Sequence, residues 1–135
     1  MNMNDPVDIV ARTIWGEARS ESEDGIKAVA NVIANRVKKG GWWGNTFVKV
    51  CLKPYQFSCW NTNDPNRRKL EATNECADSN FRRCLVVARD CVNGVLKDIT
   101  YGSTHYHTVT TTASWVDDET PVTKIGRHMF YNNIK

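Results

Sequence analysis

Residues 9–19 read Ile9-Val10-Ala11-Arg12-Thr13-Ile14-Trp15-Gly16-Glu17-Ala18-Arg19. With Val7 in front, Val10, Ala11, Ile14 and Ala18 recur at three- and four-residue spacing, which makes one apolar stripe on a helix. At about 100° per residue, Glu17 falls roughly 20° outside that stripe, beside Val10. A solvated helix puts its glutamates on the far side. A carboxyl group held against apolar surface loses hydration, so its charged form is disfavoured and its pKa rises. A general acid is kept protonated near neutral pH in this way. The same position also suits a boundary glutamate that snorkels to solvent, and the helix alone leaves both readings open.

Asp5-Pro6 supplies an acidic N-cap with proline at the first helical position, so the first helix is expected over Pro6 to Arg19. Ser22 caps a second helix, Glu23 to Lys39, whose first-turn acids and last-turn lysines both complement its dipole. Ile26, Val29, Ala30, Ile33 and Val37 form one face of it, and Ala28, Val32 and Ala34 extend the apolar surface, so burial on most sides is expected. Gly40-Gly41 stops it. Trp42-Trp43-Gly44-Asn45 reads as an aromatic loop, and Thr46 as the cap of a short helix through Cys51. Asn61 to Asn66 reads as a turn-rich loop, Arg67 to Thr73 as a short helix. The next helix runs from Asp78 or Ser79 to Asn93, with Gly94 as its stop. Ile99 to Thr112 is rich in threonine, tyrosine and valine and reads as extended, and Thr123 to Tyr131 as a hairpin. Helices first and short strands last imply a mostly α, α+β fold in one domain spanning residues 1–135.

The 135 residues carry a formal net charge of +3, with 41% hydrophobic and 24% charged side chains. That is the composition of an ordinary globular protein. No apolar run approaches the roughly 20 residues that a membrane span needs, so no membrane insertion is expected. Met1 to Pro6 has neither the basic region nor the apolar core of a secretory signal. The lysines and arginines are scattered rather than gathered on one face, which argues against nucleic acid as the partner. Five cysteines cannot all pair within one chain, and none forms a CxxC unit, so reduced, structural cysteines are expected. His105 and His107 share one face of a strand, as zinc ligands sometimes do. No companion ligand stands at a recognisable spacing, so hydrogen-bonding histidines are expected, with no metal and no cofactor.

Three distant segments interleave aromatic with polar side chains: Trp42 to Trp60, Tyr101 to Trp115 and His128 to Tyr131. That mixture suits a carbohydrate, which shows apolar C–H faces and hydroxyl edges, although the same rings can simply pack a core. Gln56, Phe57, Ser58, Trp60, His105, Tyr106, Trp115, His128 and Tyr131 are the candidate substrate contacts. Gln56, Ser58 and Tyr106 are the ones best suited to placing a sugar and stabilising charge.

Three blocks carry a family resemblance. Ile14-Trp15-Gly16-Glu17-Ala18, Gly25, Ala28-Val29-Ala30 and Asn35-Arg36-Val37 resemble the opening block of the SleB-type cell-wall hydrolases, which include spore-cortex lytic enzymes and phage endolysins. Gln56-Phe57-Ser58-Cys59-Trp60 with Asp64-Pro65-Asn66-Arg67 is similar to the middle block. His105-Tyr106-His107, Trp115 and Lys124-Ile125-Gly126-Arg127-His128-Met129-Phe130-Tyr131 are similar to the last. The resemblance implies a lysozyme-like fold and cleavage of the N-acetylmuramic acid–N-acetylglucosamine β-1,4 bond of peptidoglycan, with Glu17 as the catalytic acid. Two features depart from it: Ala113-Ser114 precede Trp115 where a proline is common, and Trp42-Trp43 looks particular to this chain.

Glycoside hydrolysis usually needs two carboxylates, and only Glu17 stands out. Glu23 and Asp24 read as helix-start charges, and Asp117-Asp118-Glu119 as a solvated loop. A single acid/base suffices where the sugar's own C6 hydroxyl attacks, so a lytic transglycosylase is expected. A hydrolytic muramidase and a non-catalytic wall-binding module are the alternatives. With no signal and no separate wall-binding segment, the expected setting is a monomeric phage endolysin. It would be held in the host cytoplasm before lysis and act on bacterial peptidoglycan in the periplasm.

Overall fold

The computed structural model describes residues 1–134. Five helices come first: α1 (Pro6–Ala18), α2 (Glu23–Lys39), α3 (Phe47–Leu52), α4 (Pro65–Ala72) and α5 (Ser79–Val92). Three short strands follow: β1 (His105–Thr108), β2 (Thr123–Ile125) and β3 (His128–Tyr131). They form one antiparallel sheet in the order β1-β3-β2. The α+β order expected from the sequence is what the chain adopts.

Side-chain caps start the helices. Asp5 accepts from the Val7 amide at 3.0 Å, Ser22 from Gly25, Thr46 from Lys49 and Asp78 from Asn80 and Phe81. Each satisfies an amide that has no partner inside its helix. Asp64-Pro65 repeats the device of Asp5-Pro6, with Asp64 accepting from Asn66 at 2.8 Å. Helix α4 therefore begins at Pro65, inside the stretch expected to be loop.

Helix α1 is the centre of the molecule and touches each of the other four helices. Every residue from Ile9 to Trp15 is buried, so the helix is enclosed all round rather than along one stripe. Fully burying each of its branched side chains is worth about 1.5–3 kcal/mol. A second, smaller core of Ala28, Val32 and Phe130 lies between α2 and the sheet, with Ile99, Tyr106 and Ile125 at its edge.

The register pairs Tyr106 with Phe130 and Thr108 with His128. Since side chains alternate along a strand, Tyr106, His128 and Phe130 point towards the helices. His105, His107 and Tyr131 point to the other face, under Trp115 of the short turn Ser114–Val116. The long extended stretch expected from Ile99 shrinks to four residues because Asp98 folds the chain before it. Its carboxylate accepts from the Thr100 amide and hydroxyl, the Gly102 amide and the Asn35 side chain, at 2.7–3.2 Å. Such local side-chain bonds compete with strand pairing for the same amides. Burial pushes the Asp98 carboxyl up, and the four donors together outweigh it and hold it below its ordinary range. All five cysteines are free; Cys51, Cys59, Cys84 and Cys91 are buried and Cys76 is exposed.

Candidate active site

Glu17 lies in the last turn of α1, partly buried. The residue before it has to be small. A Cβ on Gly16 would stand 2.8 Å from both Cβ and Sγ of Cys59 and 3.1 Å from Leu70. Glycine thus lets the Ser58–Trp60 turn close directly onto the helix that carries Glu17. From the sheet, the Tyr106 hydroxyl donates to Glu17 Oε1 at 2.7 Å. Burial raises the Glu17 pKa above its ordinary carboxylate value, the hydrogen bonds from Tyr106 and Cys59 pull it down, and the charge of Asp64 pushes it up. Burial is the largest of these effects.

Tyr106 is fixed by its ring, stacked on Phe130 at 5.7 Å with the edge of His128 at 5.0 Å. Burial and the neighbouring Glu17 hold its phenol well above the ordinary range, so it remains a donor. Behind His128 stands Glu21, which sequence reasoning left in a polar linker. Its Oε1 lies 3.3 Å from His128 Nδ1 and accepts from the Arg127 amide, also at 3.3 Å. A Cβ on Gly126, where φ is +57°, would meet Glu21 Oε2 at 2.9 Å. Glu21 is therefore an enclosed clamp that ties the β2–β3 turn to the α1–α2 linker. Its spacing of four from Glu17, one helical turn on, is the signal that could have drawn attention to it. Burial keeps His128 below the ordinary imidazole range against the pull of Glu21.

Arg36 is the other functional candidate that the residue patterns did not single out. It is buried on α2, and its Nε donates to the Thr104 carbonyl at 2.8 Å. Its guanidinium sits 4.0 Å from the Trp43 ring and 5.0 Å from that of Phe57. Its Nη1 is buried without a hydrogen-bond partner. Desolvation lowers its pKa to about 10, opposed by the charges of Tyr106, Cys51 and Glu17.

Apart from Tyr106, which meets Glu17, the expected substrate contacts separate into three groups. Phe57, Trp60, His128 and Tyr131 are buried. Phe57 fills the main core, and Trp60 Nε1 donates to the Thr13 hydroxyl at 2.9 Å. Tyr131 donates or accepts through its hydroxyl with His107 at 2.8 Å. His128 packs against Tyr106, which itself belongs with Glu17. Gln56 and Ser58 lie on the accessible side of the loop that packs against Gly16, and Ser58 is exposed. His105 and Trp115 are partly exposed and run in a series of rings on the far face of the sheet: Trp43 to His105 at 5.3 Å, His105 to Trp115 at 4.9 Å. Burial, together with the positive neighbours Arg36 and Lys39, pushes His105 down to about 4, so it is neutral at neutral pH.

Among the described residues no group of three or more histidines, cysteines or acids is arranged to hold a metal. His105 and His107 do share a face. Their ring nitrogens are within hydrogen-bond distance of the Thr104 hydroxyl for one, and of the Thr108 carbonyl and Tyr131 hydroxyl for the other.

A family model described as cell wall hydrolase matches residues 20–131. The chain belongs to the cell wall hydrolase family. The matched span takes in Glu21, Arg36 and all nine expected contacts, and starts three residues after Glu17. Two solved structures are similar over 93% of this chain, each at 27% identity. One is the catalytic domain of the Bacillus cereus SleB protein, 88% covered at a TM-score of 0.68. The other is the catalytic domain of the germination-specific lytic transglycosylase SleB from Bacillus anthracis, 92% covered at 0.67. No curated protein sequence matches the chain. The helices-then-sheet order of this cell wall hydrolase is thus the SleB catalytic-domain fold.

Proposed function

We infer that this cell wall hydrolase cleaves the N-acetylmuramic acid–N-acetylglucosamine β-1,4 bond of peptidoglycan as a lytic transglycosylase, with Glu17 as its sole acid/base. The observation that carries the reading is one carboxyl group raised by burial and held by a tyrosine on a surface-reaching edge of the core. The carboxylates around it are otherwise engaged. Glu21 is enclosed against His128 and Arg127, Asp64 caps α4, and Glu23, Asp24 and Asp117 are exposed.

In this reading, protonated Glu17 gives its proton to the glycosidic oxygen as the C1–O bond breaks. The muramic acid ring passes through an oxocarbenium-like centre, and the carboxylate left behind is stabilised by the Tyr106 hydroxyl. The C6 hydroxyl of the same ring then attacks C1 and returns its proton to Glu17. No water is consumed, and the attack is intramolecular, which can supply several kcal/mol without an added nucleophile. Gln56 and Ser58 are placed to orient the sugar from the loop beside Gly16. His105 and Trp115 offer ring surface on the opposite face of the sheet.

The product decides the matter. Soluble muropeptides released from purified sacculi are expected to end in 1,6-anhydro-muramic acid, lighter by one water than reducing ends and resistant to borohydride. Mass spectrometry showing mostly reducible ends would replace the transglycosylase with a hydrolytic muramidase, and no released muropeptide at all would leave a wall-binding module. Tyr106→Phe gives an independent check, because it keeps the ring stacked on Phe130 and removes only the hydroxyl. That hydroxyl favours the charged carboxylate, so its loss raises the Glu17 pKa further. The alkaline limb of the pH–rate profile should move to higher pH, while kcat falls about tenfold or more, the scale of a lost hydrogen bond to a charged group.

A further inference from the structure

Between Gly40 and Gly44 the chain makes a turn that only glycine tolerates. Gly40, Gly41 and Gly44 have φ of +64°, +60° and +99°, and a Cβ on Gly44 would lie 2.9 Å from that of Lys49. The turn holds Trp42 with 63% of its surface exposed. The indole meets Trp43 edge-on at 4.9 Å, and Trp43 lies beneath the Arg36 guanidinium at 4.0 Å and beside His105 at 5.3 Å. Trp42 is thus the outer end of a series that runs through Trp43 to the Arg36 guanidinium, which feels the charges of Tyr106 and Glu17. Lys53 Nζ stands 4.3 Å from the centre of the Trp42 ring. A notch between this turn and α3 is lined by Trp42, Trp43, Val48, Lys49, Leu52 and Lys53 among others, and none of its lining residues is acidic. Lys38 and Lys39 end α2 immediately before the turn.

A flat apolar ring beside unopposed cations fits a ligand with an apolar ring face and a carboxylate a few ångströms away. We propose that Trp42 with Lys53 and Lys49 is a distal subsite for the glycan strand. A sugar several units from the cut bond stacks on the indole, and a carboxylate of its stem peptide pairs with the lysines. Connection to the Glu17 site through Trp43 and Arg36 favours the strand itself over an anionic membrane surface. This subsite rests on peptidoglycan being the substrate and extends that reading to binding away from the bond that is cut.

The test is co-sedimentation with purified sacculi in the Glu17→Gln background, where the wall is not consumed. Trp42→Ala is expected to weaken binding about tenfold and Trp42→Phe much less, while Lys53→Gln weakens it by an amount that shrinks as salt rises. Val95→Ala, which trims an equally exposed apolar side chain beyond α5, should change nothing. Equal sacculus binding by Trp42→Ala overturns the subsite. So does a Trp42→Ala defect confined to anionic phospholipid vesicles, because it assigns the turn to a membrane. Muropeptide release by the wild type is scored on the same sacculi. Absence of release overturns the substrate reading, whereas release combined with binding indifferent to Trp42 overturns the subsite alone.

Discussion

Glu17→Gln is expected to lower the release of muropeptides from purified sacculi by about 10²–10⁴-fold, the usual worth of a positioned general acid. Glutamine keeps the size of the side chain and an oxygen to accept from Tyr106, but it has no proton to give. More than about a tenth of wild-type activity in the variant would remove Glu17 from the mechanism. A stability measurement separates a catalytic loss from a folding loss, and its sign is fixed by the geometry. Burial raises the Glu17 pKa in the folded protein. The stability this group contributes is complete below the ordinary carboxylate range and is lost as pH rises through the raised value. Glutamine has no such loss. The variant should therefore be more resistant to denaturant than wild type at about pH 8, and the two should converge towards about pH 4. A glutamate retained for stability would give a less stable variant at pH 8. Asp24→Asn, at the exposed start of α2, is expected to leave activity near wild type.

Arg12→Ala is expected to destabilise the fold by about 3–5 kcal/mol, a large share of the 5–15 kcal/mol that holds a typical domain together. Arg12 is 4% exposed. Its Nε donates to both oxygens of Asp8 at 3.1 and 3.2 Å, and its Nη1 donates to the carbonyls of Leu70 and Thr73, the latter at 2.8 Å. The guanidinium also lies 4.9 Å from the Phe81 ring. Truncation leaves a carboxylate and two carbonyls at the end of α4 without their donor and removes the link between α1, α4 and α5. The urea midpoint reports the loss. Lys27→Ala breaks the exposed pair with Glu23, whose side chains are 34% and 70% exposed, and should cost less than about 1 kcal/mol. If the two variants lose similar stability, the buried network does not hold the bundle.

Arg12 also shows where the sequence stops being informative. The caps were legible because each is a local rule. Asp5-Pro6, Ser22, Thr46 and Asp78 announce their helices within three or four residues, and all of those helices are present. Periodicity placed Glu17 at an apolar margin for the same reason. Periodicity treats a helix as having one buried face, however, and α1 is enclosed by four neighbours, so a single stripe does not account for the burial of Arg12 and Thr13. The apparent loop through Asn66 and the apparent strand from Ile99 were misread because Asp64 and Asp98 commit their carboxylates to nearby amides. In the site, Tyr106 was legible as a polar aromatic residue and Glu17 as a marginal acid, but their pairing was not. Nothing local tells that the inward face of a four-residue strand meets the end of the first helix. Glu21 and Arg36 escaped because their importance lies in what encloses them.

The bond between Tyr106 and Glu17 spans 89 residues, and the strand that carries Tyr106 pairs with β3, which ends at Tyr131. Chains emerge from the ribosome N-terminal end first, and folding follows in that order. A nascent chain that has emerged through α5 already holds Glu17, but neither its tyrosine nor the strand that aligns it. The pairing of Tyr106 with Glu17 is therefore completed only after β3 has been synthesised. A chain stopped before β3 carries Glu17 without the paired strand that sets Tyr106 against it.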